Sequence, residues 1–193
     1  FPTSNTVFDY YINLKKCDWS PWDEMLKAQM LQGKEFHDIY IQTAIGSQQI
    51  RLSGTPLEGG HILFVGNSGV GKTVLIEKTL LAELNQLELS FTINFSAGTS
   101  SNRTQEVIES NFDRRANNKY KPKNTKLKAV CFIDDLNMPK KDEYGSQPPI
   151  ELLRQWFDSG YWFDRQKVVK NFMCELQVLA AMGKPGGGRA HLT

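Results

Sequence analysis

Residues 62 to 73 leave this chain few folds to choose from. The apolar run Ile62-Leu63-Phe64-Val65 leads into Gly66-Asn67-Ser68-Gly69-Val70-Gly71-Lys72-Thr73, an instance of the pattern G-x-x-x-x-G-K-[ST]. A helical stripe of Ile76, Leu80, Leu84 and Leu87 follows. A strand, a glycine turn and a helix in that order gather backbone N–H groups and the positive end of a helix at one point, which is a phosphate site. The glycines allow the backbone to turn tightly and to approach the ligand closely. Lys72 is placed to reach the β- and γ-phosphates of a nucleotide, and Thr73 to offer its hydroxyl to Mg²⁺.

From residue 61 onward the chain alternates strand and helix, which predicts an α/β domain around a parallel sheet. The strands are Ile62 to Val65, Phe91 to Phe95, Ala129 to Ile133 and Leu176 to Met182. Continuous apolar runs, rather than period-two alternation, predict strands covered on both faces. Helices are predicted at Thr73 to Leu87, at about Thr104 to Phe112, and at Pro149 to Phe157, the last opened by Pro148-Pro149 and closed by Gly160. Residues 1 to 40 read as a lead-in that packs on this domain, with a helix-like stretch from Asp23 to Leu31. Ile39 to Thr43 reads as a short extended piece and Ile45 to Leu52 as a helix.

Composition removes several functional classes. With 193 residues, 40% of them hydrophobic, the chain can build one real core. No apolar run approaches the ~18 residues of a membrane span, and no secretory leader pattern opens the sequence, so an intracellular protein without membrane contact is expected. Three cysteines (Cys17, Cys131, Cys174) and three histidines are too few and too scattered for a disulfide framework or a zinc cluster. A net charge of +2 makes no case for nucleic acid. The one basic stretch, Arg114, Arg115, Lys119, Lys121, Lys123, Lys126 and Lys128, has few aromatics among its charges and reads as a solvated loop between a helix and a buried strand, the other reading being a grip on a polyanion such as RNA or an acidic protein surface.

The run Ala129-Val130-Cys131-Phe132-Ile133-Asp134-Asp135 delivers two acids at the C-terminal end of a strand, the edge at which open α/β sheets bind ligands. Asp134 is the candidate Mg²⁺ ligand, directly or through water, and Asp135 the group that orients or deprotonates the attacking water. With Lys72 these are the candidate catalytic residues; Thr73 and Asp134 are the candidate metal ligands.

The acidic strand continues as Leu136-Asn137-Met138-Pro139, followed by Tyr144-Gly145-Ser146-Gln147-Pro148-Pro149-Ile150-Glu151-Leu152-Leu153-Arg154-Gln155-Trp156. That string resembles the third AAA+ module of an axonemal dynein heavy chain. The likeness extends to Asn94-Phe95-Ser96, Phe163-Asp164, Ala180-Ala181-Met182-Gly183, Pro185-Gly186-Gly187-Gly188-Arg189 and the N-terminal Val7-Phe8-Asp9-Tyr10-Tyr11. The resemblance implies a P-loop NTPase fold, an AAA+ large subdomain over residues 41 to 193 that stops before the fifth strand and the helical lid. It implies a nucleotide (ATP or ADP, with Mg²⁺) held between neighbouring AAA+ modules, and a regulatory ATPase within a microtubule motor. It also implies contact with dynein intermediate and light chains and with microtubules through the whole heavy chain, and a place in the cytoplasm, on the cytoskeleton and in the axoneme of a cilium or flagellum.

Three departures from the family pattern bear on chemistry. Ile41-Gln42-Thr43 stands where the family places Val-Pro-Thr beside the adenine. Asp135 stands where active AAA+ ATPases generally have Glu; the shorter side chain retracts its carboxylate by about 1.5 Å, and misplacement of about 1 Å can cost ~10²-fold in rate. Gly183 stands where many AAA+ modules carry a polar sensor, and glycine offers no side-chain hydrogen bond. Slow turnover, or nucleotide binding without turnover, follows as the expectation. Arg189 reads as a loop residue with a structural or solvent-facing role, the other reading being a reach into a neighbouring module's site.

Overall fold

Apolar runs without polar alternation are stable only between two layers, and the four runs from residue 62 onward do form one parallel sheet. The computed structural model describes residues 6–26, 41, 43–52, 60–81, 89–123, 128–186 and 189–192. The chain divides into two compact units, Phe1–Glu58 and Gly59–Thr193.

In the first unit β1 (Tyr10–Asn13) and β2 (Asp18–Pro21) form an antiparallel hairpin. The Asn13 side chain accepts from the N–H groups of Lys15 and Lys16 at 3.1 and 3.3 Å, an Asx turn that starts the reversal. Buried Trp22 stacks on Tyr11 with ring centroids 4.9 Å apart and donates its indole N–H to the Phe8 carbonyl at 3.0 Å. The helix expected from Asp23 is a single 3₁₀ turn over Trp22–Met25, because Leu26 is already extended at φ −69°, ψ 121°; residues 27–31 lie outside the described residues. Helix α1 (Ala44–Leu52) forms as expected despite Gly46.

The second unit runs β3 (Ile62–Val65), α2 (Lys72–Leu75, continued by a wider π-helical turn over Ile76–Leu81), β4 (Leu89–Asn94), α3 (Ser101–Ser110), β5 (Phe112–Arg114), β6 (Lys119–Pro122), β7 (Ala129–Asp134), α4 (Pro148–Ser159), β8 (Tyr161–Phe163), β9 (Lys170–Met173) and β10 (Leu176–Met182). The main sheet has the order β3-β10-β7-β4, all parallel. Right-handed crossovers decide the layers. The step from β3 to β4 runs across the sheet in one direction, while those from β4 to β7 and from β7 to β10 run back, so α2 lies on one face and α3 and α4 on the other. Side-chain alternation agrees: Ala129, Cys131 and Ile133 share a core with Leu176, Val178 and Ala180, Ile108 of α3, and Leu153 and Trp156 of α4.

The central strands β7 and β10 are buried at every position except the last. The outer strands β3 and β4 are not: Leu63 and Val65 are 45% and 54% exposed. Helix α3 begins three residues before the expected position because Ser100 caps it, its side chain accepting from the Arg103 N–H at 3.2 Å. Helix α4 opens on Pro148-Pro149 and closes at Gly160, whose φ of 74° suits the left-handed cap.

A second four-stranded sheet, β5-β6-β9-β8, was not foreseen. It corrects the reading of the basic stretch as a plain solvated loop. Tyr120 packs on the core, Pro122 is buried, Lys121 pairs with Glu175 at 2.9 Å and Arg115 with Asp113 at 3.6 Å. β5 and β6 are three and four residues long and carry Arg114, Lys119 and Lys121, too short and polar for an apolar-run signal. Glu109 ties this sheet to α3, since its Oε1 accepts from Trp162 Nε1 at 2.7 Å and Asn171 Nδ2 at 3.3 Å. Among the described residues no helix is long and apolar enough to cross a membrane, and no cluster of metal-binding side chains occurs. All three cysteines are free; Cys131 is a core thiol whose pKa burial raises steeply, whereas Cys17 is exposed in the β1–β2 turn.

His61, just before β3, packs edge-on against Trp156 and Phe157, with centroids 5.2 and 4.6 Å away, and its Nδ1 accepts the Val178 N–H at 3.1 Å. Partial burial lowers its pKa below the ordinary 6.5. The unfolded chain therefore binds the proton first, and the contribution of neutral His61 to stability is complete above pH 6.5 and lost as pH falls toward the folded-state pKa. The stability difference between wild type and His61→Asn, measured by urea denaturation, is expected to shrink on going from pH 7.5 to pH 5.

Candidate functional site

Parallel pairing brings the exits of β3, β7 and β10 to one edge. Gly66 continues the ladder for one residue, its N–H donating to the Met182 carbonyl at 3.2 Å, and the chain then turns away. Gly69 and Gly71 have φ of 79° and 83°, left-handed values that a side chain would oppose. Gly71 precedes α2, and its carbonyl accepts the Leu75 N–H at 2.9 Å. Lys72 folds back across the loop and donates to the Gly66 and Asn67 carbonyls at 2.9 and 2.8 Å, so its ammonium is held at the loop's centre.

The loop is joined to the acidic strand by one hydrogen bond. Thr73 Oγ1 donates to Asp134 Oδ2 at 2.8 Å, across 61 positions of sequence. The other oxygen, Oδ1, accepts the Asp135 N–H at 2.9 Å, which fixes the carboxylate's orientation. Asp135 itself is left-handed at φ 51°, a conformation Asp tolerates better than most residues. The next residue, Leu136, donates its N–H to the Ala181 carbonyl at 3.0 Å.

Asp135 has a partner that sequence reasoning placed elsewhere. Arg189 Nη2 lies 3.3 Å from Asp135 Oδ1, with only a quarter of the arginine side chain exposed. Ser68, Gly69, Gly71, Lys72, Thr73, Val74, Asp134, Asp135 and Arg189 line one cavity of about 340 Å³. Its wall alternates ammonium, hydroxyl, carboxylates and guanidinium over a glycine backbone, a chemistry suited to polyphosphate. Gly66 and Asn67 lie at the loop's start, and Val70 points to solvent at 61% exposure.

The three residues assigned to the adenine belong to the first unit. Ile41 is 67% exposed, and Thr43 caps α1, its Oγ1 accepting the Gly46 N–H at 3.1 Å and its carbonyl the Ser47 N–H at 2.9 Å. Gln42 lies outside the described residues. The sequence did hold a signal for Arg189. A glycine where a polar side chain is usual, followed six positions later by an arginine, is a complementary pair of sizes.

The two left-handed glycines support a direct check. Gly71→Ala is expected to destabilise the protein by about 1–2 kcal/mol, a fall in Tm of roughly 2–8 °C for a chain of this size. Gly98→Ala, at a position with open space and no left-handed φ, is the control for calorimetry.

Comparison with known proteins places this geometry in a family. The family described as the P-loop containing dynein motor region matches residues 28–193. The Dynein-1-beta heavy chain of the flagellar inner arm I1 complex of Chlamydomonas reinhardtii is 40% identical over 98% of this chain. Dynein axonemal heavy chain 3 of Homo sapiens is 39% identical, and dynein axonemal heavy chain 12 of Mus musculus 38%, each over 100% of this chain. The chain spans only 4%, 5% and 6% of the length of these three relatives. Among solved structures, a RuvB point mutant of Thermotoga maritima aligns with 74% of this chain and 39% of its own, at 13% identity and a TM-score of 0.44. The family match over most of the chain, and relatives near 40% identity over nearly all of it, establish that this chain belongs to the P-loop containing dynein motor region family.

Proposed function

We propose that the chain is a Mg·ATP- and Mg·ADP-binding AAA+ module of an axonemal dynein heavy chain, the third of its motor ring, and that it hydrolyses ATP slowly to ADP and phosphate. Residues 41–193 would form the nucleotide-binding large subdomain and residues 1–40 a lead-in packed on it. The Thr73–Asp134 hydrogen bond of 2.8 Å carries this reading. It holds together a hydroxyl and a carboxylate that suit a hard divalent cation, beside a glycine cradle and Lys72. Bound there, Mg²⁺ would neutralise charge developing on the phosphates.

In this reading the loop amides from Gly66 to Gly71 bind the phosphates and Lys72 exchanges its two carbonyl acceptors for phosphate oxygens. Asp135 accepts a hydrogen bond from the attacking water. The family resemblance assigns the adenine contacts to Ile41, Gln42 and Thr43. Neighbouring AAA+ modules complete the site, and intermediate chains, light chains and microtubules are met through the whole heavy chain; the axonemal setting is in keeping with the names of the relatives.

A second reading, a regulatory module that holds nucleotide without consuming it, is favoured by Asp135, which is short and already paired with Arg189. Titration calorimetry of the chain with Mg·ADP and Mg·ATP, with Lys72→Ala beside it, tests the site itself. Loss of one charge-assisted contact is expected to weaken binding roughly 10- to 100-fold; equal affinities would sink the assignment. In the complete heavy chain, Asp135→Glu is expected to raise turnover at this site and Asp135→Asn to abolish it. Turnover indifferent to both would favour the non-hydrolysing reading.

A further inference from the structure

We infer that Arg189 is the residue through which this site tells a nucleoside triphosphate from a diphosphate, in the space that Gly183 leaves open; the inference rests on the nucleotide-binding reading above. Three observations point to it. The first is steric. A Cβ on Gly183 would lie 2.4 Å from Arg189 Nε, 2.5 Å from Cδ and 3.0 Å from Cζ, so any side chain at 183 would evict the arginine stem. Gly183 has no left-handed φ, so its backbone does not require glycine; the space does.

The second is the anchoring of the arginine's backbone. Asn137, fully buried in the turn after the acidic strand, donates Nδ2 to the carbonyls of Gly183 at 2.8 Å and Ala190 at 3.3 Å, and its backbone carbonyl accepts the Ala190 N–H at 3.1 Å. Gly186 and Arg189 exchange N–H···O bonds of 3.0 and 3.1 Å. Both ends of the segment are thus tied to the turn that carries Asp135, and the guanidinium is delivered into the phosphate-loop cavity on a fixed base.

The third is unused donor capacity. Arg189 contacts Asp135 through Nη2 alone, and its buried Nε has no partner among the described residues. A guanidinium is built for two parallel bonds to one oxyanion, so this pairing is incomplete. A γ-phosphate seated by Lys72 and Thr73 would present more charge and more acceptor oxygens on the same cavity wall. Arg189 would then exchange Asp135 for the phosphate, and the carboxylate so released would be free to hold water. A diphosphate offers no oxygen there, and the ion pair would stay closed.

The reading is tested by Mg·ATPγS and Mg·ADP affinities of the wild-type chain, Arg189→Ala, Arg189→Lys and Gly183→Val, the last because it evicts the arginine without adding a polar group. In wild type ATPγS is expected to bind more tightly than ADP. Arg189→Ala and Gly183→Val are expected to lower that preference about tenfold, the scale of one charge-assisted hydrogen bond, and Arg189→Lys by less. A general folding defect would weaken both nucleotides together and leave their ratio alone, so the ratio isolates the phosphate contact. A ratio unchanged within about twofold in both Arg189→Ala and Gly183→Val, with binding still lost in Lys72→Ala, overturns the role of Arg189 and leaves the nucleotide site standing. Absence of saturable binding of either nucleotide to the wild-type chain overturns both readings.

Discussion

The candidate site depends on where β10 lies. It is the last strand among the described residues, yet it sits between β3 and β7, and neither of those strands pairs with the other. Its closing residues hold both functional exits: the Met182 carbonyl accepts from Gly66 and the Ala181 carbonyl from Leu136. Without that insertion the glycine loop and the acidic pair have no fixed separation, and the Thr73–Asp134 bond has no geometry to form in. The pairing is also costly to reach, because His61 and Val178, joined by a hydrogen bond, are 117 positions apart. Ordering so long a loop must be offset by burial, and β10 supplies it with a nearly uninterrupted apolar run of buried residues.

At the edge so assembled, charge is balanced within a few ångströms. Lys72 rests on backbone carbonyls, Thr73 donates to Asp134, and Arg189 meets Asp135. Each cation therefore has an acceptor that a phosphate can replace, an arrangement that holds the side chains in place without committing them. Gly183 changes meaning in this setting. Read by itself it is a missing polar group; beside Arg189 it is the clearance that lets a longer, positively charged group into the same place.

Much of this was legible in the residues. The four main-sheet strands and the helix opened by Pro148-Pro149 announced themselves because long apolar runs and a proline at a helix start are local signals. The helix expected from Thr73 to Leu87, by contrast, is π-helical over Ile76–Leu81, and its residues 82–87 lie outside the described residues. The phosphate loop was legible because its glycines answer a local backbone demand, visible in the φ values of Gly69 and Gly71. The start of α3 was misjudged because Ser100 acts as a cap, a signal carried by one residue before the apolar stripe begins. The second sheet escaped because β5 and β6 are short, basic and stabilised by distant partners such as Glu175 and β9.

By itself, then, the sequence determined the strand–loop–helix with its phosphate cradle, the acid-bearing strand and the kind of sheet that holds them, since each follows from neighbours within a few positions along the chain. Tertiary structure alone decided which acid meets which base. That Asp134 binds Thr73 and that Asp135 binds Arg189 are consequences of strands from opposite ends of the unit lying side by side. Contacts between side chains 50 or 60 positions apart are set by the register of the sheet, and no local preference encodes that register.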